Sequence, residues 1–270
     1  MLFNPSFTNC SSSELEIFIN NNNSEAPINP LLCTKLLNVD HNSQNSYVKF
    51  LGVLIEPNLS FKSHIKAVGK KISYSLFMLK NAKKILSIKS LTQLYYSLIH
   101  CHLLYAINTW SSAPEKYLKE LQVKQKQAVR CISQSTYNAH TEPIFKNLKI
   151  LPFKDLILIN KLQFMHSFSK NMIDDSFNLF WPTNEEAREG PRQLRNDDNL
   201  YVPPFRYVSA SRLPLTSFPS TWNQFTCNLF PNVKYEFKKK KFYSDVKKDF
   251  LSNLDANYRC SRPGCPHCKT

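Results

Sequence analysis

Three thiols and an imidazole crowd the end of this 270-residue chain: Cys260, Cys265 and Cys268, with His267 between the last pair. Thiolate and imidazole are the ligands zinc prefers, and Cys-x2-Cys is a common half-site. The spacing is neither that of a retroviral knuckle nor that of a two-Cys, two-His finger. His267 also stands where chelation together with both neighbouring cysteines is strained. Two readings stand open: a zinc site that takes a ligand from elsewhere in the chain, or a reduced tail without metal. The other five cysteines (Cys10, Cys33, Cys101, Cys131, Cys227) are scattered singly, the pattern of buried thiols rather than of a disulfide framework.

Paired carboxylates occur twice. Asp174-Asp175 lies in Met172-Ile-Asp-Asp-Ser-Phe177 after a long helical pattern, and Asp197-Asp198 lies in Arg195-Asn-Asp-Asp-Asn199. Neither pair has flanking strands, so both read as loop or cap residues. Only four glycines are present (Gly52, Gly69, Gly190, Gly264), too few for a Walker loop or a dinucleotide fingerprint. No serine or cysteine has the strained turn and orienting base of a nucleophilic site, and His100 and His102 read as helix-packing or partly exposed residues.

Charge is more informative. The 35 Lys and Arg against 20 Asp and Glu give a formal charge of +15, which favours a polyanionic partner, nucleic acid before an acidic membrane face. No stretch approaches the roughly 20 apolar residues of a spanning helix, and the start is not a basic-then-apolar export signal. An intracellular protein, nuclear and cytoplasmic, is expected. Between Phe61 and Ser90 stand eight lysines (62, 66, 70, 71, 80, 83, 84, 89) and no acid. Such a run is either a solvated face or a set of phosphate contacts. Val233 to Asp249 adds seven lysines against three acids, and Lys238 to Lys241 reads either as a nuclear localisation signal or as part of a solvated basic helix.

The elements that must position these residues follow from periodicity. Met1 to Phe3 and Leu15 to Ile19 suggest a hairpin, and Asn20 to Asn45 a polar loop. Tyr47-Val-Lys-Phe-Leu-Gly-Val-Leu-Ile55 is the strongest strand candidate, with Gly52 marking a bulge or a close backbone approach, and it ends at Glu56-Pro57-Asn58. From Ser60, a plausible cap, the apolar residues Ile65, Val68, Ile72, Leu76 and Leu79 recur at helical spacing. A second helix is expected from Ser87 towards Trp110. A third follows Pro114 and carries Leu118, Leu121, Val123, Ala128, Val129 and Ile132, and Pro143 and Pro152 each open another. Seven of the sixteen prolines fall between Trp181 and Pro231, which predicts an extended, irregular segment. A basic helix and the cysteine tail close the chain.

The segment from Tyr47 to Ile55, followed by Leu59-Ser-Phe61 and His64-Ile65, resembles the Y-x-F-L-G-V-x-I-D-x-x-L-x-F/W-x-x-H-I stretch of non-LTR (LINE-type) retrotransposon reverse transcriptases, especially the Jockey-like branch. The likeness continues in family order through Leu94-Tyr-Tyr-Ser-Leu-Ile99, Leu104-Tyr105, Trp110, the Leu121 to Ile132 helix, His140-Thr141, Leu148-Lys-Ile-Leu-Pro152 and Thr221-Trp-Asn223. The resemblance implies that Phe50, Leu51 and Gly52 form the primer grip, a hairpin holding the primer 3′ end at the junction of palm and thumb. It implies a helical thumb after the grip, in which Lys62, Lys66, Lys70, Lys71, Lys83 and Lys84 contact the phosphates of an RNA/DNA template–primer duplex. The family's polymerase chemistry uses carboxylates that hold magnesium. In the family they sit on an Asp-Asp hairpin upstream of the equivalent of Met1, so no catalytic residue is assigned and no polymerase activity is expected of this fragment.

The expected fold is α+β, mainly α. Short antiparallel palm-edge strands with the grip-like turn occupy 1–58, a helical thumb-like bundle 59–180, a Pro-rich extended segment 181–232, a basic helix 233–254 and a Cys-rich tail 255–270. The expected function is template–primer binding as part of an RNA-directed DNA polymerase, with zinc as a cofactor of the tail and no membrane partner. The alternative is a free-standing helical adaptor that binds nucleic acid or zinc.

Overall fold

Two short runs, Val48-Lys-Phe50 and Val53-Leu-Ile55, flank Leu51 and Gly52 and fold against each other. Strands β1 (Val48–Phe50) and β2 (Val53–Ile55) pair antiparallel in the register Val48↔Ile55, Lys49↔Leu54, Phe50↔Val53. Leu51 and Gly52 have φ of 45° and 81°. Positive φ at both central residues is what a two-residue type I′ hairpin requires. The run from Tyr47 to Ile55 is therefore a hairpin, not one strand with a bulge. Gly52 takes its position without a Cβ clash, whereas Leu51 adopts a left-handed conformation that L side chains disfavour.

The structure, a computed structural model, describes residues 47–188, 198–228 and 238–256. The expected hairpin of residues 1–19, the Asn-rich loop up to Asn45 and the Cys260 to Cys268 tail lie outside these residues. The chain divides into two units, residues 1–66 and 67–270. Helix α1 (Lys62–Ala82) starts in the first and continues in the second. Its expected stripe is as anticipated, with Ile65, Val68, Ile72, Leu76 and Leu79 all buried.

In the second unit α2 (Ile88–Tyr95) starts where expected, with Ser87 Oγ accepting from the Ser90 N–H at 3.3 Å. It runs through a π-helical turn, Tyr96–His100, into α3 (Cys101–Leu104). The helix does not reach Trp110. It breaks at Tyr105 and Ala106, where Ala106 has φ 50°, and α4 (Ile107–Trp110) follows. The indole N–H of buried Trp110 donates to the Tyr105 carbonyl at 2.8 Å, which satisfies a group the break sets free. Helix α5 (Glu115–Ile132) follows Pro114, and α6 (Glu142–Leu148) carries Pro143 in its first turn. Leu121, Ala128, Val129 and Ile132 are buried, but Val123 is exposed because it falls off their helical face.

Helix α7 (Phe153–Ser169) follows Pro152 and is the centre of this unit. It packs on α4, α5, α9 (Pro214–Asn228) and α10 (Lys239–Ala256), and α10 also packs on α6. Residues 181–232 are thus not simply extended. Residues 181–188 and 198–207 are irregular, pinned by a Thr183↔Leu200 bridge, but α8 (Val208–Ser211) and the 15-residue α9 follow. Pro214 opens α9, where its missing N–H costs nothing, and Pro219 sits inside it, at the loss of one backbone hydrogen bond. Aromatic burial offsets that loss. Trp181 is sandwiched between Phe177 (5.9 Å, 9°) and Phe218 (6.0 Å, 13°), and Trp222 and Phe225 of α9 are also buried. Helix α10 is likewise not merely solvated, since Phe242 and Val246 are fully buried and Phe242 stacks on His166 at 4.2 Å.

The architecture is mainly helical with two short antiparallel strands on its N-terminal side. Among the described residues no helix is long and apolar enough to cross a membrane.

Candidate nucleic-acid interface

In the first unit, the hairpin is tied to the start of α1. The Leu54 N–H donates to His64 Nδ1 at 3.4 Å. Glu56, which follows β2 directly, turns its carboxylate to the helix start: Oε1 accepts from the Ser63 N–H at 2.8 Å, and Oε2 accepts from the Lys62 N–H at 3.2 Å and from the Ser60 hydroxyl. Ser60 is therefore an auxiliary, and Glu56 is the main cap. A negative charge at orphan helix N–H groups is doubly favourable. Burial acts to raise the Glu56 pKa, but the hydrogen bonds from Ser60, Ser63 and Lys62 outweigh it and hold the carboxyl below its ordinary value. With its base fixed, the hairpin presents Phe50 and Leu51 to solvent at 59% and 75% exposure.

Lys62 and Lys66 are exposed on the first turns of α1 in this unit. In the second unit, Lys70, Tyr74, Phe77 and Asn81 stand at spacings of three or four on an exposed face of that unit's part of α1. Tyr74 and Phe77 were not expected there. Their signal was available: both are aromatic, yet neither belongs to the stripe that Ile72, Leu76 and Leu79 define. Ammonium groups interleaved with exposed rings suit a strand that offers phosphates and bases together.

The expected lysines do not share one surface. Lys71 lies close enough to His102 of α3 to add to the lowering that burial gives that imidazole. Lys83, past the end of α1, lines a cavity with Lys80 and Arg130, while Lys84 is exposed beside it. Gly69 is where α1 and α5 come near each other: a Cβ there would stand 3.0 Å from Glu120 Oε1 and 3.4 Å from Lys124 Cε. Lys124 reaches across to donate to Ser73 Oγ at 2.7 Å.

Deeper in the unit, Gln125 of α5 is fully buried and its amide donates to Tyr95 Oη and to the Leu151 carbonyl, both at 2.9 Å. The π turn beside Tyr95 faces α10. Burial first, and then Lys247, lower the His100 pKa to about 4, and burial followed by Tyr243 raises that of Tyr96. His100 is consequently neutral around pH 7.

Among the described residues no polymerase-type carboxylate site is assembled. Asp174 precedes a 3-10 turn (Asp175–Leu179) and Asp198 lies in a turn, neither on a strand, while Asp197 falls outside the described residues. Among the described residues no group of His, Cys, Asp and Glu could hold a metal ion. Cys260, Cys265, His267 and Cys268 are not among them. Cys131 is buried as expected of a scattered thiol, whereas Cys101 is exposed.

No family model matches the chain, and no solved structure matches it. A stretch of 110 residues, 40% of the chain, is 24% identical to the "Probable RNA-directed DNA polymerase from transposon BS" of Drosophila melanogaster. That stretch spans 12% of the fly protein's length. The chain is thus similar, over part of its length, to an RNA-directed DNA polymerase of a transposon.

Proposed function

We propose that this chain is the template–primer-binding portion of a non-LTR retrotransposon reverse transcriptase, with the Phe50 to Gly52 hairpin as primer grip and α1 as the leading thumb helix. The observation that carries the reading is the tight hairpin with an exposed apolar tip, tied through the Glu56 cap to the start of α1, where Lys62 and Lys66 are exposed. Similarity to a transposon polymerase supports it. Lysines along a helix bind phosphates without reading bases, which is what a polymerase that copies any sequence needs. The hairpin tip offers apolar contact to a terminal sugar and base, and Gly52 lets the backbone come close.

The test is equilibrium binding of the full chain to an RNA–DNA duplex across a salt series. Each phosphate contact contributes a slope of about −0.9 in log affinity against log salt. Changing Lys62, Lys66, Lys70 and Lys71 to Glu is expected to abolish measurable binding, and changing them to Gln to flatten the slope by roughly two to four. Binding that ignores salt, or an unchanged slope, contradicts the proposal. The purified chain should incorporate no nucleotide, since neither Asp174-Asp175 nor Asp198 lies in a strand hairpin.

A further inference from the structure

Where α1 and α5 end, with the turn after α5 between them, the second unit holds an open cavity of about 390 Å³. We propose that this cavity binds the phosphate of a nucleotide, through Lys80, Lys83 and Arg130, while the base stacks on Tyr137. The inference stands apart from duplex gripping and holds whether or not α1 contacts a duplex.

The lining carries three cationic side chains and no acid. Three lysines elsewhere in this unit find carboxylates: Lys154 pairs with Glu115 at 2.9 Å, Lys124 with Glu120 at 3.4 Å and Lys126 with Glu142 at 3.8 Å. Among the described residues, none pairs with Lys80, Lys83 or Arg130. Helix C-termini draw cations in general, but that attraction requires neither convergence on an open volume nor a fixed guanidinium. Arg130 is fixed, because its Nε donates to the Ala139 carbonyl at 2.8 Å. Both lysines lie near enough to Cys131 in the wall to counter the rise that burial gives its thiol.

The other features suit a nucleotide rather than a bare anion. Ser135 adds a hydroxyl to the lining. Tyr137 stands on the turn and is 77% exposed, its ring open to receive a base. A cavity of this volume falls within the range of small-ligand sites and would be left mostly empty by phosphate alone. Planar guanidinium and flexible ammonium groups together can surround the phosphate oxygens, with Arg130 as the oriented donor.

The phosphate could belong to a single strand or to a free mononucleotide, and competition separates the two. The full chain is titrated against a short labelled oligothymidylate, with thymidine monophosphate and inorganic phosphate as competitors. The double change Lys80→Gln with Lys83→Gln is expected to weaken strand binding about tenfold or more and to reduce the salt slope by roughly 1.4, two phosphate charges' worth on a single strand. Tyr137→Ala should weaken it at least fivefold, while Tyr137→Phe, which keeps the ring, should bind as the unaltered chain does. Thymidine monophosphate competing better than inorganic phosphate supports a nucleotide site open to free nucleotide, whereas a shift only with the strand assigns the site to single-stranded nucleic acid. An unchanged affinity and slope in the double variant overturns the proposal, and equal losses in Tyr137→Phe and Tyr137→Ala overturn the stacking role. Lys70→Gln serves to separate the two ideas: it should reduce duplex binding and leave the Tyr137-dependent component intact.

Discussion

Replacing Glu56 by Gln separates a positioning role from simple charge. Glu56 is 7% exposed, and its carboxylate accepts from the backbone N–H groups of Lys62 and Ser63 and from the Ser60 hydroxyl. Glutamine keeps one carbonyl acceptor but brings an NH2 against donors and removes the charge from the helix N-terminus. Loss of a cap costs typically ~1 kcal/mol, and a hydrogen bond to a charged group contributes more than a neutral one, so the variant should lose ~1–2 kcal/mol of local stability. Because the folded carboxyl is more acidic than its ordinary value of 4.5, its stabilisation is fully present above that pH and is lost as pH falls through the lower folded value. Hydrogen exchange at the Lys62 and Ser63 amides, followed from neutral to acid pH, reads this directly. Glu56→Gln should exchange ~5–30-fold faster at neutral pH and lack the acid transition. The functional sign is the sharper test. Removing a negative charge ordinarily strengthens binding to nucleic acid, yet this variant should bind an RNA–DNA duplex more weakly, because the hairpin loses its tie to the helix. Protected amides together with tighter duplex binding in Glu56→Gln would mean that the carboxylate does not hold the hairpin to the helix.

Other outcomes follow from the second unit. Gln125→Ala should cost ~3–5 kcal/mol in denaturant unfolding, since it leaves both Tyr95 Oη and the Leu151 carbonyl buried without their donor; adding Tyr95→Phe should recover part of that loss. Gly69→Ala is expected to stabilise by up to ~1 kcal/mol, because the atoms nearest the new Cβ are the flexible ends of Glu120 and Lys124 and glycine is a poor helix former; a measured loss above that size would mean the two helices cannot yield. Burial raises the Asp155 pKa to about 6, against a smaller lowering by Lys154, so this group makes the fold less stable as pH rises from about 4 to 6. Asp155→Asn should raise stability above pH 6, on the order of 1–2 kcal/mol, and leave it unchanged below pH 4; no gain at neutral pH contradicts the burial argument.

Much of the helical layout could be read from the sequence where one physical signal dominated. The buried face of α1 follows from the period, and α2 starts at Ser87 as the pattern predicts. Prolines mark the starts of α5, α6 and α7: Pro143 lies in the first turn of α6, while Pro114 and Pro152 stand at the N-caps of α5 and α7, where a missing N–H also leaves no helical hydrogen bond unmade. The hairpin was hidden because a type I′ turn normally announces itself by Asn-Gly or Asp-Gly, and here Leu51 occupies the first left-handed position. The family likeness, not the residue pattern, suggested a turn at that place. Helix α9 was hidden by Pro214 and Pro219, since local propensity argues against a helix that tertiary stacking of Phe218, Trp222 and Phe225 sustains. Of the candidate interface, lysine positions were legible but their directions were not: Lys70 lies on the exposed face with Tyr74 and Phe77, while Lys83 turns to the cavity beside Arg130. Only the packing of α1 on its neighbours decides which lysine faces which way.

The claim that the Phe50 to Gly52 hairpin grips a primer is tested most directly by cross-linking. A template–primer with a photoreactive base at the primer 3′ end is bound to the full chain, irradiated, and the attached peptide sequenced. Attachment is expected at Phe50, Leu51 or their strand neighbours, and is lost when duplex binding is abolished by the four-lysine charge reversal. Attachment confined to the second unit, or equal attachment from a photoreactive base placed at the opposite end of the primer, would contradict it.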